Sequence, residues 1–275
     1  MNYGKSLFLY LGLIFFPVTN SSATSISVGC TNGVGVVNEY STTSTQLQCE
    51  ESGTIAGTYG YTHDTSASVD LKTGEMRLYA SHVSDFPSNR AAASAAASET
   101  INIEGGSGTI PVTVLFTAEG FGTGIEPSNG NEVRVDTRIS NVGGGILERS
   151  FTDIGWDSSG LVAVSDLGNN NFYFSGDSFK VVQTLTYDIN LDVTRSLLIS
   201  GFLNIWAAQA ALDMRHTAFF DLILPEGISF SSQSGVFLTE PRNSGDGGQV
   251  PEPSTLALLG LGLAGIGFAR KKKQA

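Results

Sequence analysis

The sequence has little positive charge. Its 275 residues include 15 Lys and Arg against 26 Asp and Glu, which gives a formal net charge of -11. A surface that binds nucleic-acid phosphates needs clustered Lys and Arg side chains, so this composition argues against nucleic acid as a partner. The dense basic cluster, Arg270 to Lys273, stands at the end of the chain. The remaining residues are more acidic still, which suits a soluble exported protein.

Cysteine and histidine are scarce, and their spacing argues against a metal centre. The three histidines, His63, His82 and His216, show no ligand spacing, and each is expected to be a surface or hydrogen-bonded residue. Cys30 and Cys49 form no Cys-x-x-Cys motif and lie close together in the sequence. Such a pair in an exported protein predicts a disulfide, which would stabilise the fold by about 3 kcal/mol. We therefore expect no metal and no cofactor.

No apolar run reaches the roughly 20 residues that a membrane-spanning helix needs. The first run, Ser6–Phe16, follows a short segment with one positive charge at Lys5. A proline and the small residues Ser21-Ser22-Ala23 come after it. This order is typical of a cleaved Sec-type signal peptide over residues 1–23, with cleavage at Ala23.

The middle of the chain carries short alternating patterns bounded by Gly, Asn, Asp or Pro, and no βαβ alternation. The clearest pattern is Ala67–Ser81, in which Lys72-Thr73-Gly74 predicts the turn of a hairpin. Further strands are predicted at Ile110–Ala118, Glu132–Ile139, Leu161–Ser165, Asn171–Phe174, Phe179–Leu191, Ala218–Leu224 and Ser234–Leu238. These patterns predict an all-β fold, a jelly-roll-like antiparallel β-sandwich that forms one domain over residues 24–242.

Two segments do not fit this pattern clearly. Ser88–Thr100 is rich enough in alanine to be a helix by propensity, but it lacks large apolar residues. A strand of small residues or a loop explains it equally well. Gly201–Phe220 fits a helix or a long strand, and periodicity does not decide between them. For this second segment we favour a strand.

The end of the chain, VPEPSTLALLGLGLAGIGFARKKKQA, has three parts and follows a glycine-rich stretch. Residues 243–250 are expected to form a flexible linker. Pro251-Glu252-Pro253 forces an extended backbone, because each proline fixes φ and disfavours helix in the residue before it. Residues 254–269 are expected to form a short transmembrane helix, with the basic residues 270–273 on the cytoplasmic side. The residues expected to retain the chain in the membrane are Leu256, Leu259, Leu263, Ile266, Arg270, Lys271, Lys272 and Lys273.

This tail resembles the PEP-CTERM sorting signal along almost its whole length. The resemblance rests on the PEP turn, the apolar segment and the basic end, in that order. It implies that an exosortase, a membrane transpeptidase, recognises the tail and processes it near Pro251, Glu252 and Pro253. The protein would then pass from an inner-membrane intermediate to the cell surface or extracellular matrix of an exopolysaccharide-producing Gram-negative bacterium. A buried helix with a basic end would explain the apolar run, but not the PEP turn.

The sequence as a whole favours an exported, non-catalytic surface or matrix protein, with exosortase and exopolysaccharide as partners. One alternative is a carbohydrate-binding sandwich, in which Trp156, Trp206 and the tyrosines stack against sugar rings. Another is a serine esterase, because Gly-Asp-Ser178 and Asp213-Met-Arg-His216 resemble blocks of the GDSL hydrolases. Ser178 would then be the nucleophile, His216 its base and Asp213 the orienting group. The blocks that supply oxyanion donors in that family are absent, which favours a β-turn and an exposed histidine.

Two other motifs have ordinary explanations. Gly260-Leu-Gly262-Leu-Ala-Gly265 satisfies a dinucleotide-binding pattern, but the acidic residue that should follow about 20 positions later is absent. These glycines fit close helix packing in lipid better. The oxygen-rich stretch Asp166–Asn171 leaves a calcium site open, although it matches no EF-hand and fits an ordinary turn.

Overall fold

The computed structural model describes residues 24–31, 36–55, 60–84, 90–124, 130–157 and 160–239. Within these ranges the chain forms fifteen β-strands, and no helix there is long and apolar enough to cross a membrane. The predicted signal peptide (1–23), linker (243–250) and sorting tail (251–275) lie outside the described residues.

The strands pair antiparallel in two sheets. In chain order they are β1 (Thr24–Thr31), β2 (Val36–Ser41), β3 (Gln46–Ile55), β4 (Tyr61–Asp70), β5 (Glu75–Ser84), β6 (Ala91–Glu104), β7 (Thr109–Thr123), β8 (Glu132–Ser140), β9 (Ile146–Asp157), β10 (Gly160–Leu167), β11 (Asn169–Ser175), β12 (Ser178–Asn190), β13 (Ser196–Ala207), β14 (Ala210–Ile223) and β15 (Ser229–Ser232). Sheet 1 has the order β10-β9-β8-β13-β6-β1-β2, with β15 beside β6, and sheet 2 has the order β11-β12-β7-β14-β5-β4-β3. The predicted all-β antiparallel sandwich is confirmed.

The core lies between the two sheets. Buried and more exposed side chains alternate along β4, β5 and much of β13, so one face of each sheet packs inward. Polar contacts also cross the core. The hydroxyl of Thr137 in sheet 1 donates a 2.7 Å hydrogen bond to Oε1 of Gln183 in sheet 2. The amide of Gln183 donates in turn to the carbonyl of Val135 at 3.3 Å, so both ends of this buried side chain are satisfied.

The predicted hairpin is confirmed as β4 and β5. Val69, Leu71, Met76 and Leu78 are buried, and Gly74 takes the positive φ of 70° that the turn requires. The predicted strands between residues 110 and 224 overlap β7, β8, β10, β12 and β14, and β11 contains the predicted strand in the Asn-rich segment. β7 continues to Thr123, five residues beyond the predicted end, and β14 begins at Ala210, eight residues before the predicted start. The other bounds agree to within one or two residues.

Residues 91–100 of the alanine-rich segment lie in strand β6, so the helix alternative is wrong. The backbone of β6 is hydrogen-bonded to β1 on one side and to β13 on the other. Ala93 and Ala95 are buried on the inner face, and Ala92 and Ala96 on the outer face are also at most 7% exposed. Pairing on both sides and burial on both faces outweigh the helix propensity of alanine.

The segment Gly201–Phe220 is β-structure, as favoured, but it forms two strands rather than one long strand. β13 ends at Ala207 in sheet 1, and β14 begins at Ala210 in sheet 2. Gln209 lies at the corner with a φ of 52°, and its side-chain amide donates to the carbonyl of Ser84 at 2.7 Å. The corner sequence AAQAA contains none of the residues that usually signal a turn, so its position could not be predicted.

The predicted last strand, Ser234–Leu238, is wrong. This segment forms turns, and the last strand in the described residues is β15, which pairs with β6. Phe237 is 2% exposed, and its ring packs 6.0 Å from that of Phe220. The apolar side chains of the segment therefore pack against the core, although its backbone forms turns and no strand.

Candidate functional site

The predicted disulfide is confirmed and joins the two sheets. Cys30 lies in β1 of sheet 1 and Cys49 in β3 of sheet 2, with a Cα–Cα distance of 6.1 Å. Both residues are buried. A covalent bond between the sheets near one side of the sandwich fits a protein that folds in an oxidising compartment.

The residues predicted to direct sorting lie outside the described residues. They are Ala23, Pro251, Glu252, Pro253, Leu256, Leu259, Leu263, Ile266, Arg270, Lys271, Lys272 and Lys273. The surfaces that the structure does describe are the outer faces of the two sheets and their edges.

The outer face of sheet 1 carries an ionic network on β8 and β9. Arg138 and Arg149 stand directly opposite each other on these strands, and Asp136 bridges them. Nε of Arg138 donates to Asp136 at 3.1 Å, and Nε of Arg149 donates to it at 3.0 Å. Burial raises the pKa of Asp136, but hydrogen bonds and charge from the two arginines outweigh burial, so its net pKa is lowered.

A second group of charges in this network surrounds Arg134. Its guanidinium donates to Asp153 at 2.7 Å and to Glu132 at 3.0 Å. Burial and the neighbouring Asp153 raise the pKa of Glu132, although Arg134 opposes that shift. The guanidinium also lies over the rings of Phe151 and Trp206, at 5.7 and 5.1 Å from their centroids. The protein's own cations therefore cover the rings of Phe151 and Trp206 on this face.

The two tryptophans do not form the stacking platform considered from the sequence. Trp156 is 9% exposed and packs edge-on against Phe179, with ring centroids 6.5 Å apart. Trp206 lies under Arg134. Most tryptophan side chains in folded proteins are largely buried and pack in the core, and Trp156 does so as well.

Two other aromatic rings are open on the outer face of sheet 2. Phe121 in β7 is 45% exposed, and Tyr173 in β11 is 59% exposed. The usual distance between neighbouring strands and the rise per residue along a strand place their Cα atoms about 12 Å apart. Among the described residues, no cation and no other ring lies over either of them. We call Phe121 and Tyr173 the open aromatic pair. The sequence suggested tyrosines as a group for such a platform, but nothing in it singled out Tyr173 or pointed to Phe121.

A β-bulge in β14 lies next to the open aromatic pair. The register of β14 shifts between Met214 and Ala218, in the middle of sheet 2. Arg215 projects from this bulge, and its Nε donates to Asp213 at 3.0 Å while the guanidinium lies 4.4 Å over the ring of Tyr79. A cavity of about 230 Å³ lies here, lined by Glu119, Phe121, Ser178, Asp213 and Arg215 among others. Bulges often occur beside binding sites, because they redirect side chains.

The residues of the esterase hypothesis lie partly in the same cavity. Ser178 follows the turn between β11 and β12, as the sequence favoured. Phe121 pairs with Ser178 on one side and with Asp213 on the other, which places Ser178 and Asp213 about 10 Å apart. Arg215 holds the carboxylate of Asp213. The side chain of His216 lies outside the described residues, so the esterase hypothesis stays a prediction.

Two histidines are buried, whereas the sequence predicted that each histidine would be either a surface or a hydrogen-bonded residue. His63 in β4 is 6% exposed and His82 in β5 is fully buried, and they pair directly across the two strands. Neither nitrogen of His63 has a hydrogen-bond partner, and Nδ1 of His82 accepts a long hydrogen bond from the backbone of Gln209 at 3.5 Å. Burial and the charge of His63 lower the pKa of His82. The ring of Tyr61 lies 5.4 Å from that of His82 and completes this cluster.

Within the ranges that the structure describes, no group of three or more His, Cys, Asp or Glu side chains could hold a metal ion. A larger cavity of about 460 Å³ lies over β3, β4 and β5. Its lining is mainly polar, and the open aromatic pair lies elsewhere on sheet 2. The face with the open aromatic pair and the bulge is therefore the candidate binding site.

Comparison with known proteins identifies the tail. Residues 249–272 match the PEP-CTERM protein-sorting motif. No curated protein matches the chain. Among solved structures, the KRT10-binding region domain of the pneumococcal serine rich repeat protein PsrP aligns with 74% of this chain and 95% of its own. The identity is 8% and the TM-score is 0.18, so this likeness carries no argument about fold or function.

Proposed function

We propose that the protein is a non-catalytic component of an extracellular polysaccharide matrix, delivered there by an exosortase. The observation that carries the proposal is the PEP-CTERM protein-sorting motif at residues 249–272. It marks the chain as an exported exosortase substrate that crosses the inner membrane and is processed at the cell envelope. The disulfide between Cys30 and Cys49 supports a final location in an oxidising compartment.

The tail holds the protein at the membrane long enough for processing. The apolar segment 254–269 is shorter than a permanent span requires, and residues 270–273 anchor it on the cytoplasmic side. The sequence predicts that Pro251-Glu252-Pro253 lies outside the bilayer in an extended conformation. An extended backbone is what a transpeptidase needs in its cleft, so the cut falls between the folded body and the anchor.

Mass spectrometry of the mature protein from its host tests this proposal. The expected mature chain begins near Thr24 and ends near Ser254, and a variant with P251A, E252A and P253A should stay in the inner membrane. A matched control is P225A with E226A, which alters a Pro-Glu pair in the loop between β14 and β15. This control should be released like the natural protein. Exported protein that still carries residues 256–275 would contradict processing.

The open aromatic pair supports polysaccharide as the ligand of the sandwich. Aromatic rings stack on the apolar faces of sugar rings, and hydrogen-bonding groups held in fixed positions select among them. Phe121 and Tyr173 supply uncovered rings on one face, and Asp213 with Arg215 supplies a fixed polar group between β7 and β5. On sheet 1 the equivalent stacking surface of Trp206 is taken by Arg134. Sheet 2 is therefore the face proposed to bind polysaccharide.

Co-sedimentation with polysaccharide purified from the host tests the ligand. We expect the F121A/Y173A variant to lose most of its binding, because both stacking surfaces are removed. The matched control is Y40A, which removes a ring that is 54% exposed at the edge of sheet 1. Equal binding by all three proteins would contradict the assignment to sheet 2 without affecting the sorting proposal.

Labelling with a fluorophosphonate tests the absence of catalysis. This probe reacts with activated serines, so the folded protein should remain unlabelled. Labelling that disappears in S178A would revive the esterase hypothesis and overturn the non-catalytic proposal.

A further inference from the structure

Strand β11 forms an open edge of sheet 2. It pairs with β12 along Asn169–Ser175, and among the described residues no strand pairs with its other side. An open edge presents a row of backbone N–H and C=O groups that can hydrogen-bond to another strand.

This edge lacks the features that usually prevent such pairing. The strand NNNFYFS has no charged residue and no proline, and its register against β12 is regular. Natural edge strands are commonly blocked by charge, proline or a bulge. The three other strands at the ends of the two sheets carry such features, with Glu39 in β2, Glu50 and Glu51 in β3, and a register shift in β10. Among these four edges β11 is the unprotected one, and the further edge strand β15, which pairs with β6, is four residues long and too short to be an open template.

The side chains of β11 add an apolar surface to the open backbone. Tyr173 is 59% exposed and Phe174 is 40% exposed. The ring of Phe174 stacks with that of Phe172, with centroids 6.2 Å apart and planes inclined by 23°. Uncharged strands rich in asparagine and aromatic residues pair readily with identical strands, because no like charges meet and the rings contact one another.

We infer that β11 is the docking edge for a second copy of this chain. Two copies related by a twofold axis would pair β11 with β11 antiparallel and join their seven-stranded sheets into one. With the axis at Phe172, Asn171 stands opposite the partner's Tyr173, and every contact occurs twice. The net charge of -11 opposes association elsewhere on the surface, so the uncharged edge is where two copies meet with least repulsion.

Pairing at β11 would also double the polysaccharide-binding face, a consequence that rests on the proposed function. A twofold axis perpendicular to a continuous sheet leaves the outer faces of both halves on the same side. The open aromatic pair of each copy then faces the same polysaccharide chain. Two linked sites bind more tightly than one, because the second contact becomes intramolecular.

Sedimentation equilibrium of the mature protein tests the pairing, without any polysaccharide present. The natural protein should show a concentration-dependent monomer–dimer equilibrium. The N171K/Y173K variant should remain a monomer, because lysines from the two copies would meet across the paired edges. The matched control is N38K/Y40K, which places the same two changes at exposed positions on the edge strand β2. This control should dimerise like the natural protein.

Thermal unfolding should show that both lysine variants keep the fold, since all four positions are exposed. A natural protein that stays monomeric at every concentration would overturn the inference. Equal loss of the dimer in both variants would also overturn it, because the effect would then not depend on which edge strand carries the lysines. Neither result depends on polysaccharide, so failure of this inference and failure of the proposed function are distinguishable.

Cysteine crosslinking tests the register of the pairing. Both native cysteines are in the disulfide, so an introduced cysteine is the free thiol in each variant. N171C and Y173C, mixed and oxidised, should form a crosslinked heterodimer in higher yield than either variant alone. Crosslinking confined to either variant alone would overturn the register centred on Phe172.

Discussion

The ring of Phe220 in sheet 2 packs directly on Gly201 in sheet 1. A Cβ atom at position 201 would fall inside the ring's contact distance, with Cε2 and Cε1 at 3.0 and 3.1 Å and Cζ closer still. Phe116 and Phe237 stand beside this ring, with centroids 4.8 and 6.0 Å away. The missing side chain of Gly201 therefore makes the space that this cluster of three phenylalanine rings occupies.

Gly201→Ala should destabilise the protein. The ring of Phe220 cannot withdraw, because two other phenylalanine rings confine it, and overpacking of this kind costs about 1–3 kcal/mol. Chemical denaturation of the mature protein, with the midpoint and slope compared to the natural protein, measures the change in the free energy of unfolding.

The double variant G201A/F220L is the control for this mechanism. Leucine is smaller than phenylalanine, so the new methyl group should fill part of the space that F220L vacates. The double variant should lose less stability than the sum of the two single losses. Additive losses would mean that the cost of Gly201→Ala has another origin.

The sequence predicted the class of fold, because alternation is a local signal. The pattern around Val69 and Met76 predicted a hairpin that β4 and β5 form, and close cysteine spacing predicted the disulfide. Alternation does not predict which of the two sheets each strand joins. The corner at Gln209 carries no turn residue, and its positive φ is held by tertiary contacts such as the bond to Ser84.

The candidate site was less accessible to sequence reasoning than the fold. Tryptophan suggested a platform, yet whether a ring is open depends on what covers it, and Arg134 covers Trp206 from a different strand. The strand pairing that brings Phe121, Ser178 and Asp213 into one row has separations of more than 30 residues along the chain. The tail is the opposite case, because its function is encoded in a continuous segment.

Loss of the disulfide should lower stability by about 3 kcal/mol, because Cys30 and Cys49 close a loop with a sequence separation of 19. The variant to measure is C30A/C49A, because alanine, unlike serine, places no hydroxyl group in the core. The matched reference is the natural protein, denatured in the presence of a reductant. Its free energy of unfolding should fall by a similar amount. If reduction leaves the free energy of unfolding unchanged, the bond is not a stabilising staple.

Acidification should destabilise the protein through His82. Its folded pKa is lowered by burial and by the charge of His63, while the unfolded chain titrates near the ordinary value of 6.5. Above that value both states are neutral and His82 contributes nothing to the pH dependence. As the pH falls below it, the unfolded state binds a proton that the folded state resists, so stability falls until the folded pKa is reached.

H82Q tests this titration by removing the ionisable group while keeping a hydrogen-bond acceptor. Its stability should depend less on pH in the window just below 6.5 than that of the natural protein. In H63Q, NMR titration should show the pKa of His82 rising towards its ordinary value, because one cause of the shift is gone. An unchanged slope in H82Q would assign the acid sensitivity to other groups.

Asp136→Asn should destabilise the protein by about 2 kcal/mol, the scale of hydrogen bonds to a charged group. The Asp136 side chain is 6% exposed, while Arg138 and Arg149 are 41% and 35% exposed and can still reach water. The cost therefore stays below that of a fully buried pair that is broken. The matched control is E148Q, an exposed residue next to Arg149 on β9, which should change stability by less than about 0.5 kcal/mol.

The pH dependence of D136N identifies the charge as the cause. The folded pKa of Asp136 lies below its ordinary value of 3.8, so its stabilisation is complete above that pH and disappears as the pH falls through the folded pKa. The deficit of D136N relative to the natural protein should therefore shrink in strong acid. A deficit that stays constant to the lowest pH at which the protein remains folded would mean that packing, rather than the paired arginines, accounts for the loss.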